Sequence, residues 1–381
     1  MAVKSRTNLS GYKRKRPNYI PFYIAILGLS GILARPVLMP LIARMAVVSA
    51  AVAMPEGTLE LLRERYGHDV DPGIPLEPPP ESSASQEPSE SSSQPSSDAP
   101  SSSSQPQEGP EIEEKYRGVI LEEQFVGKAG AGYIQFGNAW LRNYTKLTDA
   151  KVNAELNKPL ELALPKTSEP TVLIIHTHAT ESFEEYERNY YDIRNSWRST
   201  DNTKNMVRVG EELVRQLEAK GLTVLHDTTQ HDYPSYNGAY ERSAATIKKY
   251  LKQYPSIKVV FDMHRDAMER SGNVVVAPTA VIGGKKTAQI MVIAGCDNGT
   301  MNMPGWPANL RFAAALTSHI EGKYPGLMRP ILFDYRKYNM DLSKGLLLIE
   351  FGAGGNSMEE VLYCANLAGG AIGEMLAGLQ K

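Results

Sequence analysis

The chain has 381 residues, of which 42% are hydrophobic and 22% charged, and 41 basic and 43 acidic side chains give a formal net charge of −2. This length allows one large or two medium domains. The near balance of charge excludes a general nucleic-acid binder, because such proteins usually have a strongly basic surface. The mean hydropathy of −0.33 excludes a polytopic membrane protein, since several spans would raise it well above zero.

The first 54 residues predict a membrane-anchoring region. Residues 1–18 carry six Lys or Arg and no acidic side chain, and apolar runs follow at 19–34 and 37–54. Basic residues ahead of an apolar run hold the N-terminus in the cytoplasm and send the rest across. We expect a basic cytoplasmic tail at 1–18 and an uncleaved transmembrane helix within 19–54. The alternative is a signal peptide cleaved near the AVA pattern at 51–53, and both place most of the chain outside the cytoplasmic membrane.

A stalk and a short extension follow the anchor region. Residues 72–114 are dominated by Ser, Pro, Glu and Gln and lack apolar periodicity, which predicts a disordered acidic linker. Such a linker spans roughly 35–40 Å, at about 5–6 Å times the square root of its length. Residues 115–170 are interpreted as an N-terminal extension of the next domain. Short strands are predicted near 119–121 and 133–136, and a polar loop or a short helix is expected at 146–159.

Residues 171–381 alternate strand and helix patterns and are interpreted as the catalytic domain. Short apolar runs predict strands at 171–175, 222–225, 257–261, 288–293 and 345–349. Apolar residues at helical spacing predict helices at 204–220, 240–254, 309–323 and 358–380. This order predicts an α/β fold, in which a mixed, mostly parallel sheet is flanked by helices on both faces.

The two cysteines, Cys296 and Cys364, are far apart in the sequence and form no CxxC pair. They exclude a disulfide scaffold and a cysteine-rich zinc ribbon. Cys364 lies in an apolar helical pattern, which favours a buried residue. A disulfide between the two stays open.

Three predicted strands end in polar residues of the kinds that bind metals. Strand 171–175 runs into His176, His178 and Glu181, strand 257–261 leads to His264, and strand 345–349 runs into Glu350. In open α/β sheets, sites lie at the carboxyl ends of strands, so we expect these side chains at one edge. Two histidines and a carboxylate are a common ligand set of zinc hydrolases, and a further carboxylate can take the proton of the attacking water. We predict a Zn²⁺ site with candidate ligands on the first two strands and Glu350 as the catalytic base.

Several further residues are candidates for substrate binding. Arg242 and Arg265 have the charge to bind a carboxylate, and pairing with acidic neighbours is equally open. Asn205 and Asn202 are candidates for orienting substrate or capping the following helix, and capping is favoured for Asn202. The aromatic residues of 186–197 are expected to serve in packing rather than in a sugar-stacking lid.

The ordered motifs resemble those of the stage II sporulation protein P family of endospore-forming bacteria. This family is related to the zinc-dependent N-acetylmuramoyl-L-alanine amidases of the cell-wall type. The resemblance covers over half of the chain, and it is carried by HTHATESF at 176–183, DNTKN at 201–205, YER at 240–242, FDMHRD at 261–266 and IEFG at 349–352.

The resemblance implies a zinc enzyme that cleaves the amide between N-acetylmuramic acid and the L-alanine of the peptidoglycan stem peptide, with cross-link cleavage as an associated activity. It implies septal wall thinning and forespore engulfment, in the space between the forespore and mother-cell membranes. The implied partners are a transglycosylase, stage II sporulation protein D, and a membrane protein, stage II sporulation protein M. The predicted transmembrane helix is also expected to contact membrane lipid. A zinc endopeptidase and an inactive wall-binding scaffold stay open as alternatives.

The resemblance leaves the ligand set partly open. His264 matches the second zinc histidine of the related amidases and Glu350 matches their catalytic glutamate. The first strand offers both His176 and His178 and lacks the Gly-rich turn that precedes the first histidine of the relatives. Glu181 is the preferred carboxylate ligand, and Asp201, near the start of the first helix, is the alternative.

Overall fold

The computed structural model describes residues 109–381. The predicted cytoplasmic tail, the anchor region and most of the predicted linker lie outside these residues. Between residues 109 and 381, no helix combines the length and the apolar character that a membrane crossing requires.

The secondary structure alternates through most of this region. The strands are β1 (Arg117–Glu123), β2 (Tyr133–Phe136), β3 (Ala139–Asn143), β4 (Val172–Ile175), β5 (Tyr190–Asp192), β6 (Val224–His226), β7 (Val259–Asp266), β8 (Glu269–Arg270), β9 (Val274–Ile282), β10 (Lys285–Ala288), β11 (Ile290–Gly295), β12 (Ile331–Asp334) and β13 (Leu346–Ala353). The α-helices are α1 (Asp149–Leu156), α2 (Met206–Glu218), α3 (Ala239–Gln253), α4 (Trp306–Lys323) and α5 (Met358–Ala377), and 3₁₀ turns lie at Glu114–Tyr116 and Met340–Leu342.

An eight-stranded mixed sheet forms the main layer of the described residues. Its strand order is β2–β3–β12–β11–β13–β7–β4–β6. The neighbours β13, β7, β4 and β6 run parallel to one another, whereas β11 pairs antiparallel with β13 and β2 pairs antiparallel with β3. The predicted mixed, mostly parallel α/β sheet is therefore confirmed.

Side-chain alternation along the central strands places a hydrophobic core on each face of this sheet. On β4, Val172 and Ile174 point to the larger core, where residues of α2, α4 and α5 also lie. Leu173 and Ile175 point to the opposite core, with Ile247 of α3. Strands buried on both faces read as continuous apolar runs, which is why the sequence pattern located them. The prediction of helices on both faces is confirmed.

A second sheet, which the sequence pattern did not predict, has the order β10–β9–β1–β5, with β8 paired to β9. Strand β1 of the predicted extension lies parallel to β9 here, while β2 and β3 of the same extension join the main sheet. The segment at 146–159, predicted as a loop or a short helix, contains helix α1, whose first turn is capped by Thr148. The extension thus contributes strands to both sheets.

The disulfide left open by the sequence is not formed, because Cys296 and Cys364 are both free and buried. The expected burial of Cys364 is confirmed. Burial raises the pKa of both thiols above the usual value, so both stay protonated at neutral pH.

Candidate metal centre and active site

His178, Glu181 and His264 meet at the carboxyl edge of the main sheet. His178 and Glu181 follow β4, and His264 lies near the end of the adjacent parallel strand β7. Each of the three buried side chains places one ligand atom within 4.8 Å of the others. The Nδ1 atom of His178 lies 3.4 Å from Oε1 of Glu181, and Nδ1 of His264 lies 3.7 Å from Oε2. The Glu181 carboxylate therefore lies between the imidazole ring of His178, which follows β4, and that of His264 on β7.

Glu350 lies beside this group on the next strand, β13. Its Cα is the register partner of the Cα of His264. The residue is only 8% exposed, and its Oε2 atom is buried without a hydrogen-bond partner among the described residues. Burial and then the negative charge of Asp266 raise the pKa of Glu350 to about 8. A carboxylate with this pKa can both accept and release a proton near neutral pH.

His264 and Glu181 have pKa values that are displaced in opposite directions. Burial alone would lower the pKa of His264, but the charges of Asp262, Glu181 and Glu350 outweigh it and raise the pKa to about 10. Burial alone would raise the pKa of Glu181, but His178, His264 and Arg265 reverse this and hold it well below the usual value. Without a metal, the centre is therefore an ionised carboxylate held by a protonated histidine at neutral pH.

Asp262 is a buried residue of the site that the sequence analysis did not assign. Its Oδ1 atom lies 3.1 Å from Nε2 of His264, although the N–H direction is too oblique for a regular hydrogen bond. The same carboxylate accepts hydrogen bonds from the backbone N–H and the hydroxyl of Thr177, at 2.8 and 2.6 Å. The Asp-x-His spacing at the end of a strand was the available signal, because alternation puts both residues on one face.

His176, a candidate ligand, does not join the group. Its ring is fully buried, with Nε2 2.9 Å from Nε2 of His226 and Nδ1 3.4 Å from the carbonyl oxygen of Met263. It continues the alternation of Val172 and Ile174 towards the core beneath α2. Burial lowers the pKa of His176 to about 3 and that of His226 to about 4, so both rings are neutral.

Aromatic rings line the metal-ligand group on the side of α3. The ring centroid of His178 lies 4.6 Å from that of Tyr236 and 5.4 Å from that of Tyr240. Tyr240 also stacks on Tyr338 at 5.1 Å, and the guanidinium of Arg198 lies 4.7 Å from the ring centroid of Tyr236. Tyr240 was part of the YER motif, but its place beside the histidines was not predicted.

The two arginine candidates contact backbone carbonyls. Arg242 donates to the carbonyl oxygens of His231, Ser235 and Asn237, and so ties down the loop ahead of α3. Arg265 donates through its side chain to the carbonyl oxygens of Trp197 and Asp266, while its backbone N–H donates to Oε2 of Glu181 at 3.1 Å. Arg265 therefore helps to orient the carboxylate of the centre.

The asparagine and aspartate candidates lie at the start of α2. Asn205 is the N-cap, since its side chain accepts a hydrogen bond from the backbone N–H of Val207. The cap expected at Asn202 is therefore wrong by one turn: its side-chain oxygen accepts from Asn205 and Gln230 instead. Asp201 is exposed and accepts hydrogen bonds from Thr203, so Glu181 is the carboxylate that joins the histidines.

The fold and the site define an α/β protein with a candidate two-histidine, one-carboxylate metal centre at the carboxyl edge of its main sheet. The family model for stage II sporulation protein P matches residues 63–372, and the chain belongs to this family. Stage II sporulation protein P of Bacillus subtilis (strain 168) is 27% identical over 240 residues, which cover 60% of this chain and 56% of the relative. The match thus spans little more than half the length of that relative.

Solved structures with similarity to the chain include two N-acetylmuramoyl-L-alanine amidases. The one from Clostridium difficile 630 has 16% identity and a TM-score of 0.33, and the match covers 55% of this chain and 96% of the amidase. AmiC2 of Nostoc punctiforme has 12% identity and a TM-score of 0.32, with 54% of this chain and 93% of the amidase covered.

Proposed function

We propose that this chain is a zinc-dependent peptidoglycan amidase that hydrolyses the bond between N-acetylmuramic acid and the L-alanine of the stem peptide. Membership of the stage II sporulation protein P family supports a role in sporulation. The observation that carries the proposal of hydrolysis is the buried group of His178, Glu181 and His264 beside the carboxylate of Glu350.

The donor set matches a catalytic zinc ion. Two imidazole nitrogens and one carboxylate oxygen are typical protein ligands of such an ion, and the remaining position is left for water or substrate. His178, Glu181 and His264 would hold it. When bound, Zn²⁺ lowers the pKa of a coordinated water to about 7 and polarises the amide carbonyl under attack.

Glu350 would transfer a proton from the attacking water to the leaving amine. In the metal-free chain its raised pKa of about 8 keeps it largely protonated at neutral pH. A positive charge at the neighbouring centre lowers the pKa of a carboxyl group, which would leave Glu350 ionised and ready to accept a proton from the attacking water. The protonated side chain then donates that proton to the leaving amine of the L-alanine.

The setting of this activity is also part of the proposal. A single transmembrane helix within 19–54 would hold the chain at the membrane lipid, and the linker at 72–114 would let the domain at 171–381 reach the cell wall outside the cytoplasmic membrane. In a sporulating cell this is the space between the forespore and mother-cell membranes. Stage II sporulation proteins D and M would act as partners in wall thinning during engulfment.

The test follows the products of wall cleavage. Purified full-length chain is incubated with peptidoglycan, with and without a chelator, and the released fragments are identified by mass spectrometry. We expect free stem peptides released from their lactyl amide, lost on chelation and restored by zinc. Peptides cut only at the cross-links would indicate an endopeptidase instead. No release, even after a glycan-cleaving partner is added, would indicate a wall-binding scaffold.

Glu350→Gln separates the base from the metal centre. Loss of a general base lowers the rate by about 10²–10⁴-fold, whereas zinc binding is expected to remain. Glu212→Gln is the matched control, because Glu212 is also largely covered but bonds to Arg215 and Gln216 of α2 and to Asn366 of α5. If Glu350→Gln kept full hydrolysis with zinc bound, Glu350 would not be the base.

A further inference from the structure

We infer that Asp262 is a shared positioning residue that orients both histidine ligands, His264 directly and His178 through Thr177. This inference rests on the metal centre of the proposed function. Asp262 would thereby hold together the ligands that follow β4 and lie on β7. Asp262 is fully buried and lies on β7, the strand between β4 and β13.

The contact with His264 decides which ring nitrogen faces the centre. Asp262 and His264 are two residues apart on β7, so their side chains share one face of the strand. Asp262 Oδ1 lies 3.1 Å from Nε2 of His264, and the opposite nitrogen, Nδ1, lies 3.7 Å from Glu181 Oε2. Because Nε2 faces the Asp262 carboxylate and Nδ1 faces Glu181, Nδ1 is the nitrogen left for a metal ion.

The contact with Thr177 fixes the chain next to His178. Asp262 accepts from the Thr177 backbone N–H at 2.8 Å and from its hydroxyl at 2.6 Å. These two bonds hold the backbone where β4 ends and the chain turns, and the next residue is His178. The Asp262 carboxylate thus contacts both Thr177, the residue before His178, and the ring of His264.

The Thr177 hydroxyl is itself held from the side of α3. It lies 2.7 Å from the hydroxyl oxygen of Ser243, which accepts a hydrogen bond from Nδ2 of Asn339 at 3.0 Å. Asn339 also donates to the carbonyl oxygen of Tyr240 at 3.1 Å. The chain of hydrogen bonds from Asn339 to Asp262 is buried or half-buried throughout, so Asp262 has little freedom to rotate.

The cost of burying Asp262 favours a role in positioning the metal ligands over a purely structural role. A fully buried carboxylate is costly to fold around unless charges and hydrogen bonds compensate it. The side-chain neighbours of Asp262 are the ring of His264, at 3.1 Å, and Thr177, the residue before His178. Groups that hold ligating histidines typically change metal affinity by about 10–100-fold when they are replaced.

The experiment measures zinc affinity, which does not depend on wall hydrolysis. Purified full-length chain competes with a chromophoric chelator for Zn²⁺, as wild type, Asp262→Asn and Asp227→Asn. Asp262→Asn keeps the shape and removes the charge, and we expect zinc binding about 10–100-fold weaker. Asp227→Asn is the control, since Asp227 is also buried but accepts from Tyr250 and Thr229, and zinc affinity should not change.

A second pair of variants and a spectroscopic measurement test positioning itself. Thr177→Val removes the hydroxyl bond to Asp262, whereas Thr177→Ser keeps it, so only the valine variant should lose zinc affinity. The two Thr177 variants test the positioning role even if Asp262→Asn does not fold. The visible absorption bands of the Co²⁺-loaded chain should shift in Asp262→Asn and stay in place in Asp227→Asn, which a loss of stability alone would not produce.

The outcomes separate this inference from the proposed function. Equal zinc affinity and unchanged cobalt bands in Asp262→Asn, or equal affinity in the two Thr177 variants, would overturn it. A wild-type chain that binds no zinc would overturn the metal centre and the inference together. If zinc binds and Asp262→Asn weakens it while peptidoglycan stays intact, the positioning role stands and the amidase proposal fails.

Discussion

His264 and Glu350 are register partners on the adjacent parallel strands β7 and β13. The ladder shifts register directly after this pair, and Gly352 adopts a left-handed conformation with φ of 64°. A side chain at Gly352 would be strained there, and its Cβ would lie 2.7 Å from Oδ1 of Asn356. The regular ladder is therefore interrupted directly after the point where the proposed metal ligand and the proposed base lie side by side.

The two glutamates of the site have opposite pKa displacements, which gives them different chemical roles. Glu181 lies between two histidines and Arg265, and its pKa is held low. Glu350 is buried near Asp266, and its pKa is raised to about 8. Carboxylates whose environments drive their pKa values apart divide into a permanently ionised group and a proton carrier. This contrast supports the proposed ligand role of Glu181 and the proposed proton-transfer role of Glu350.

Replacement of the two candidate histidines on the first strand should have different effects on metal binding. His178→Ala removes a member of the centre and is expected to abolish tight zinc binding. His176→Gln should change zinc affinity little, because His176 contacts His226 and Met263 rather than the centre, and it should lower stability by about 1–3 kcal/mol. Zinc titration and urea unfolding of both variants measure this. Zinc loss in His176→Gln with intact folding would contradict the assignment.

Stability of the metal-free chain should depend on pH through Glu350. Its ordinary pKa of 4.5 is raised to about 8 in the folded chain, so the native state keeps a proton that the unfolded state releases. This stabilisation is complete below the ordinary pKa and is lost as the pH rises through about 8. Glutamine is neutral throughout. The wild-type free energy of unfolding, relative to Glu350→Gln, should fall by more than about 1 kcal/mol between pH 5 and 8.

Urea unfolding in the presence of a chelator gives both free energies at each pH. The comparison with Glu350→Gln cancels the titration of groups that do not interact with Glu350, and the difference reports Glu350 together with its interaction with His264. A difference that stays constant across this pH range would show that Glu350 is not a raised-pKa carboxyl group.

Zinc binding should release a proton from His264. The pKa of this ring is raised to about 10 in the metal-free chain, whereas a histidine ligand must be deprotonated. In Glu350→Gln, zinc affinity should therefore increase about tenfold per pH unit near neutrality, because one proton leaves for each ion bound. The increase should be steeper in the wild type, since Glu350 also loses a proton when the centre becomes positive. Calorimetry in buffers of different ionisation enthalpy counts the protons. The Glu350→Gln variant removes any second proton from Glu350, and no release in this variant would contradict the protonated state of His264.

Gly210→Ala should destabilise the fold through the buried histidine pair. A Cβ at Gly210 on α2 would lie 2.6 Å from Nε2 of His226 and 2.7 Å from Nε2 of His176. Overpacking of this kind costs about 1–3 kcal/mol. Gly370→Ala on α5 is the matched control, since its Cβ would meet only Oε1 of Gln216 at 3.8 Å, and it should be neutral or stabilising. Thermal unfolding of both variants compares them, and equal stability would show that α2 can shift without strain.

Sequence patterns were sufficient to locate β4, β6, β7, β11 and β13, the four longer helices and the edge at which the site lies. Buried parallel strands such as β4 and β13 appear as continuous apolar runs, and a polar residue directly after such a run marks the strand end. The connection from one strand to the next is local in sequence, and the carboxyl ends of parallel strands lie at one edge for topological reasons. His178, Glu181, His264 and Glu350 were all among the residues expected there.

The residues that join the centre, and the contacts of the other candidates, became clear from the folded chain alone. His176 and His178 have the same chemistry, and regular alternation would place both on one face because they are two residues apart. Strand β4 ends at Ile175, and after it His176 packs against His226 whereas His178 joins the centre. The second sheet depends on pairing between distant strands, β1 with β9, which leaves no local signal. The roles of Arg242 as a loop support and of Asp262 beside His264 and Thr177 depend on contacts that the sequence pattern does not show.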